Sequence, residues 1–203
     1  MFREADVNSF VEDNKHNVWL GSNGGGLIYW DRTNGTFKSY KHNALDPNTL
    51  SADVIVSMTK GRDESLWIGT YFGGLNKFDG KKFTHYRHDP ANPQSIADES
   101  VWEVLEDSRG NLWAGTLQGG LDMFDKKTNT FRHYRNGDEN SIKTNYVTVL
   151  EEDSKGNIWV GTGFESTCSN ARPEGLFIMP PIPTTSTHFL TTAFFGSRKT
   201  AAS

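Results

Sequence analysis

A single cysteine, Cys168, stands in the 203 residues, so no internal disulfide forms and a disulfide-stapled scaffold is excluded. No apolar run approaches the roughly 18 residues that a membrane-crossing helix needs. The opening "MFREADVNSF" lacks the apolar stretch of a signal peptide. Positive charge is not in excess either: 21 Lys and Arg against 25 Asp and Glu leave a net charge of −4. No basic stripe is visible, which removes the electrostatic footprint of a nucleic-acid binder. Nucleophilic catalysis finds no support, since there is no Gly-x-Ser-x-Gly elbow and Cys168 has no evident histidine partner. What the chain does have in quantity is glycine (20) and aromatics (12%, with six Trp), a composition that favours an all-β protein rich in tight turns. Its length fits one domain.

The aromatics and glycines recur in register. "WLGS" at Trp19 returns as "WIGT" at Trp67, "WAGT" at Trp113 and "WVGT" at Trp159, at spacings of 48, 46 and 46 residues. Gly25-Gly26-Leu27, Gly73-Gly74-Leu75 and Gly119-Gly120-Leu121 follow the first three. An aromatic-Asp pair comes next (Trp30-Asp31, Phe78-Asp79, Phe124-Asp125), and Phe37/Tyr40, Phe83/Tyr86 and Phe131/Tyr134 close each unit. Each unit reads as four short strands, a to d, bounded by Gly, Asn, Asp or Ser. Between a and b lies "DSRGN", repeated as "DSKGN" at Asp153 and loosened to "DNKHN" at Asp13. The second copy, "KGRDESLW", departs from it, so Asp63 serves differently there or the turn changes. Four antiparallel strands recurring about every 46 residues define a β-propeller blade.

The dense glycines of "WLGSNGGGLIYWD" invite a phosphate-loop reading. They lie between strands b and c, however, with no helix N-terminus behind them to supply aligned amides, so they read as a structural turn.

With these positions assembled, "SIADESVWEVLEDSRGNLWAGTLQGGLDMFDKKTNTFRHYR" closely resembles the two-component regulator propeller repeat. The linkers "YKHNALDPNTLSADVI" and "YRHDPANPQSIADESV" match it too, and the resemblance covers residues 6 to 162. It implies a partial all-β propeller: three four-stranded blades (about 6–45, 53–89 and 99–136) and a half-blade at 145–162 of a ring expected to have seven. It also implies the periplasmic ligand-sensing region of a hybrid two-component histidine kinase, several of which detect glycan fragments. No kinase histidine box, receiver pocket or helix-turn-helix pattern is present in this chain, so any kinase is implied only by resemblance. Residues 163–203 abandon the repeat, apart from a displaced strand c offered by Gly175-Leu176-Phe177-Ile178. They read as an irregular or aberrant tail, of the kind left by a linker or a broken reading frame.

Propeller geometry places any ligand site where the d–a linkers and b–c turns emerge on one face. The residues that vary there are Asn23 and Gly24, Tyr71 and Phe72, and Leu117 and Gln118, with Asp53, Glu99 and Asn145 at the start of strand a. Tyr71-Phe72 is the pair suited to stack on a sugar or pack on a partner, with Asn23, Asp53, Glu99, Gln118 and Asn145 as polar contacts. Trp102 is less constrained, its equivalents being Asn8, Val56 and Thr148, whereas the four Trp of Trp-x-Gly read as inter-blade core. His85 and His133 share one strand-d position and read as outer-surface residues, too far apart for a shared metal site. No metal or cofactor is expected. Glu106-Asp107 and Glu152-Asp153 recur at the a–b turn, so capping explains them better than acid/base catalysis. The expectation is therefore a non-catalytic sensor fragment, its partners a carbohydrate ligand and either the missing blades or another copy of the chain. A propeller enzyme (a lyase or sialidase-like hydrolase) and a structural protein-binding scaffold are the alternatives.

Overall fold

The computed structural model describes residues 6–138, 142–163 and 176–179. The tail that carries Cys168 lies outside them, apart from one strand. Blade 1 comprises β1 (Val7–Glu12), β2 (Val18–Ser22), β3 (Leu27–Asp31) and β4 (Thr36–Tyr40). Blade 2 comprises β5 (Ile55–Lys60), β6 (Leu66–Thr70), β7 (Gly74–Phe78) and β8 (Phe83–Tyr86). Blade 3 holds β9 (Val101–Glu106), β10 (Leu112–Thr116), β11 (Leu121–Asp125) and β12 (Thr130–Tyr134). Blade 4 holds β13 (Val147–Glu152), β14 (Ile158–Thr162) and β15 (Leu176–Met179). Each sheet is an antiparallel meander in chain order, four-stranded in blades 1 to 3 and three-stranded in blade 4. Strand β15 pairs with β14, at the place where the sequence offers a displaced strand c.

Strands a sit at the narrow end of the fan, β1 packing on β5, β5 on β9 and β9 on β13. Side-chain hydroxyls tie them together: Ser9 Oγ accepts from the Met58 amide at 3.1 Å, and Ser57 Oγ accepts from Val104 at 3.2 Å. The blades close on each other because the Trp-x-Gly glycine has no side chain. A Cβ at Gly21 would lie 2.4 Å from Ile55 Cγ2, and one at Gly115 2.5 Å from Val147 Cγ1. The tryptophan two residues earlier then reaches the next blade. Trp19 meets Phe78 edge-on at 5.5 Å, and Trp67 meets Phe124 at 5.6 Å. Burial of such large rings supplies most of the inter-blade stabilisation.

In blades 3 and 4 a carboxylate pins the tryptophan from behind. In blade 3, Asp107 accepts from the Arg109 and Asn111 amides, from Asn111 Nδ2 and, at 3.0 Å, from Trp113 Nε1. Blade 4 repeats this with Asp153, Asn157 and Trp159; bonds from the side chain and backbone of Asn157 hold Asp153 well below the usual carboxylate range. Blade 2 has Gly61 at that position. Its turn keeps the backbone pattern, Gly61 N–H to Ser65 O at 2.7 Å and Glu64 N–H to Gly61 O at 3.0 Å. The carboxylate is gone, however, so buried Trp67 Nε1 has no partner, and Glu64 takes the left-handed φ of 62° that Gly110 and Gly156 hold in the other blades. Asp63 serves differently, as its position allows: it accepts from Ser65 and pairs with Lys77 at 2.7 Å. Burial pushes its pKa up, but the Lys77 and Ser65 bonds outweigh this and bring it down to about 2.

Blade 1 shows what an uncovered blade looks like. Phe10 is 72% exposed, whereas its counterparts Met58, Val104 and Leu150 are buried against the preceding blade. Phe37, stacked on Trp30, is half exposed where Phe83 and Phe131 are buried.

Three outcomes follow, all measurable by urea denaturation. Asp107→Ala removes four acceptor contacts in a buried setting and is expected to cost about 2–4 kcal/mol. The combined change Gly61→Asp, Asp63→Ser, Glu64→Gly, Ser65→Asn gives blade 2 the turn of its neighbours and is expected to stabilise by about 1 kcal/mol. It also removes the atoms that a Cβ at Gly61 would strike, Asp63 Oδ1 and Ser65 Oγ. The same repeat position should respond oppositely in two blades: Phe10→Ser within about 0.5 kcal/mol of neutral, Val104→Ser costing about 2 kcal/mol or more. Equal costs at the two would show that blade 1 is covered in solution.

Candidate functional site

The b–c turns and d–a linkers share one rim, and a repeated set of bonds explains why. The second glycine of each Gly-Gly donates its amide to the carbonyl of the residue two places before strand a of the next unit. Gly26 bonds Asp53 O at 3.0 Å, Gly74 bonds Glu99 O at 2.7 Å and Gly120 bonds Asn145 O at 3.0 Å. These glycines have φ of +76°, +72° and +91°, and a Cβ there would press on the carbonyl of Tyr40, Tyr86 or Tyr134. The turn amides are thus spent inside the protein, which disposes of a phosphate cradle.

The same three residues close their own linkers. Asp53 Oδ1 accepts from the His42 amide at 2.7 Å, Glu99 Oε1 from His88 at 3.2 Å and Asn145 Oδ1 from Asn136 at 2.7 Å. Glu99 also pairs with Arg87 at 3.0 Å. Three residues that differ in identity therefore perform one job, accepting a backbone hydrogen bond across the linker. Asn23, exposed, bridges to Val54 and donates its amide to Asp6 O at 2.8 Å.

Phe72 and Gln118 are brought together around the gap between blades 2 and 3, with Tyr71 packed against Phe72. Their neighbours there are His88, Ala97, Asp98, Glu99 and Gly119, lining an open cleft of about 450 Å³. Asp98 anchors the Gln118 amide at 2.7 Å, leaving the Gln118 side chain on the rim. The Tyr71 and Phe72 rings lie 4.2 Å apart, tilted, and Phe72 is 64% exposed. Its φ of +59° is the left-handed conformation that Gly24 takes in the equivalent turn of blade 1. A bulky residue pays a conformational penalty there that glycine avoids. Arg87 fixes the turn by donating to Phe72 O at 3.2 Å.

Trp102, which the sequence reading set apart but did not place in the site, completes the aromatic group. It stands edge-on to Tyr71 with centroids 6.5 Å apart. Its pairing explains its freedom. In all four blades the a–b register breaks at one place: Val7/Ser9, Ile55/Ser57, Gly115/Thr116 and Val147/Val149. Asn8, Val56, Trp102 and Thr148 are the extra residues of these bulges, and a bulge re-aims its side chain without disturbing the ladder. The scatter of identities at this position was the available signal.

Two expectations need correction or refinement. His85 and His133 are not outer-surface residues but half-buried pins: His85 Nε2 lies 2.6 Å from Thr49 O, and His133 bridges Asp122 and the carbonyl of Pro93. Glu152, in a recurrent acidic pair, accepts from Ser108 N and Oγ across the blade boundary, an inter-blade staple as well as a turn residue. No group of three His, Cys, Asp or Glu able to hold a metal ion occurs among the described residues.

Compared with known protein families, residues 95–118 and 141–164 match the two-component regulator propeller. No curated protein matches the chain. Among solved structures, the extracellular domain of a hybrid two-component system of B. thetaiotaomicron is 26% identical, with a TM-score of 0.67, covering 87% of this chain and 24% of that one. The extracellular domain of a one component system of the same organism is 23% identical, with a TM-score of 0.64, over 79% of this chain and 23% of that one. Virginiamycin B lyase from Staphylococcus aureus, at 16% identity and a TM-score of 0.59 over 88% of this chain and 56% of that one, shares the fold alone. The chain thus spans about a quarter of the length of the two extracellular domains. The repeat register, the fan of blades and these matches converge on a partial β-propeller, three complete blades and part of a fourth, whose repeats are similar to the two-component regulator propeller.

Proposed function

We propose that this chain is part of the periplasmic ligand-sensing propeller of a two-component regulator, and that it binds its ligand non-catalytically on the rim between blades 2 and 3. One observation carries the reading. Phe72 is an exposed aromatic in a backbone conformation suited to glycine, beside Tyr71 and Trp102, where a ligand's apolar face can stack. Strain retained at an exposed aromatic is accounted for by recognition rather than by folding. The cleft's carboxylates are already engaged, Glu99 by Arg87 and the His88 amide, Asp98 by the Gln118 and Ser100 amides. That suits a neutral ligand offering hydroxyls and a flat apolar face, as a glycan does. In the intact protein, ligand bridging blades 2 and 3 alters their packing, and the change passes to the signalling segments. The resemblance to two-component systems supports this last step.

A structural scaffold has one observation in its favour. The face of blade 1 that exposes Phe10, whose counterparts are buried against the preceding blade, has the shape that receives another blade, whether from a longer polypeptide or from a second copy.

Phe72→Gly separates recognition from ordinary loop chemistry. The variant is expected to gain about 0.5–1 kcal/mol of stability by relieving the left-handed residue, and to lose about tenfold or more in affinity. Calorimetric titration against a panel of neutral oligosaccharides, beside urea denaturation, reads both. Unchanged affinity together with the stability gain would sink the assignment of the rim.

A further inference from the structure

The linker from blade 2 to blade 3, residues 88–99, forms one wall of the cleft, and it is held from below by a pair found in blade 3 only. Asp122, on β11, is fully buried, and His133, on β12, is mostly so. Asp122 Oδ2 accepts the Ala97 amide at 2.7 Å, and Oδ1 lies 2.6 Å from His133 Nδ1. His133 Nε2 lies 2.8 Å from Pro93 O. Blade 2 solves the same problem without charge. There Asn76 Oδ1 accepts the Ser51 amide at 3.0 Å, and its Nδ2 donates to Ser51 Oγ at 2.7 Å.

The difference has a chemical consequence. Both ring nitrogens of His133 face acceptors, one a carbonyl and the other a carboxyl oxygen. A carbonyl cannot donate, so Nε2 must carry a hydrogen. Between Nδ1 and Oδ1 there must then be a second proton, whichever atom it is nearer. If that proton leaves to solvent, a lone pair on Nδ1 faces an ionised, buried carboxylate, and moving the remaining hydrogen to Nδ1 only transfers the conflict to Pro93 O. Neither tautomer of the neutral ring satisfies the site.

We infer that Asp122 and His133 form a proton-held latch that fastens the cleft-wall linker while protonated and releases it as pH rises. The charged groups that act most on the pair are each other and Arg135, whose cation opposes the imidazolium and supports the carboxylate; the linker contributes the Pro93 carbonyl and the Ala97 amide. The Asp122 bond raises the pKa of His133 against partial desolvation, and burial raises that of Asp122 despite His133. Both directions mean that the folded pair holds its proton more firmly than the unfolded chain. Its contribution is complete below the ordinary histidine pKa and is lost as pH rises through the raised one. The latch stands independently of what the cleft binds.

The test is amide exchange followed by NMR, with the equivalent Ser51 amide of blade 2 as internal reference. This cancels the intrinsic pH dependence of exchange. The ratio of Ala97 to Ser51 exchange rates is expected to be flat to about pH 6 and to rise about tenfold or more by about pH 9, with a midpoint matching the His133 ring titration. Asp122→Asn, which restores the chemistry of blade 2, is expected to abolish the step while keeping Ala97 protected. A flat ratio in the unaltered protein overturns the latch, as does a step that survives in Asp122→Asn. Should that variant fail to fold, a His133 titration at or below the ordinary histidine value in the unaltered protein overturns it as well.

Discussion

Everything in this structure depends on how near one blade can come to the next. The tryptophan of Trp-x-Gly fills the gap between sheets, but only because the glycine two residues on lets strand a of the following blade approach within contact of bare backbone. A methyl group at Gly21 or Gly115 would push the blades apart and unseat the indole. The aspartate behind the ring, the threonine closing the b–c turn (Thr70 Oγ1 to Gly74 O at 2.8 Å; Thr116 Oγ1 to Gly120 O at 2.9 Å) and the staple over the linker are consequences of that approach. Each satisfies polar groups that tight packing has removed from water.

Because blades repeat, their exceptions are informative. Blade 2 lacks the aspartate, blade 3 replaces a neutral amide with an ionisable pair, and blade 1 leaves exposed, at Phe10, a position that its successors bury. The second exception adjoins the cleft, through the linker that Asp122 holds, whereas the first lies in the a–b turn at the other end of blade 2. The cleft's two walls come from the blade with the unanchored tryptophan and from the linker clamped by Asp122 and His133. The linker wall is thus the place where the repeat's neutral amide has been exchanged for an ionisable pair.

Much of the fold could be read directly from the residues, since Trp, Gly-Gly-Leu and aromatic-Asp recur in register and each carries a stated physical role. The rim was legible only in part. Variation between copies pointed to Tyr71, Phe72 and Gln118, which converge. It pointed equally to Asp53, Glu99 and Asn145, which differ in side chain yet all accept a backbone hydrogen bond over the linker. An acceptor oxygen is common to aspartate, glutamate and asparagine, so variation in letter hid constancy in function. The histidines were misjudged for a related reason. Strand periodicity tells which side of the sheet His133 occupies, but not that a distant linker folds back over it.

The bulge that opens every strand a has one more consequence. At that point the chain carries a residue exempt from the hydrogen-bonding ladder, once per blade and always at the same height on the rim. Asn8, Val56, Trp102 and Thr148 show that amide, aliphatic, indole and hydroxyl groups are all accepted there. A propeller built this way carries a ring of interchangeable fingertips on an unchanging hand, so the side chains at its rim can be exchanged one blade at a time while the packing beneath them stays the same.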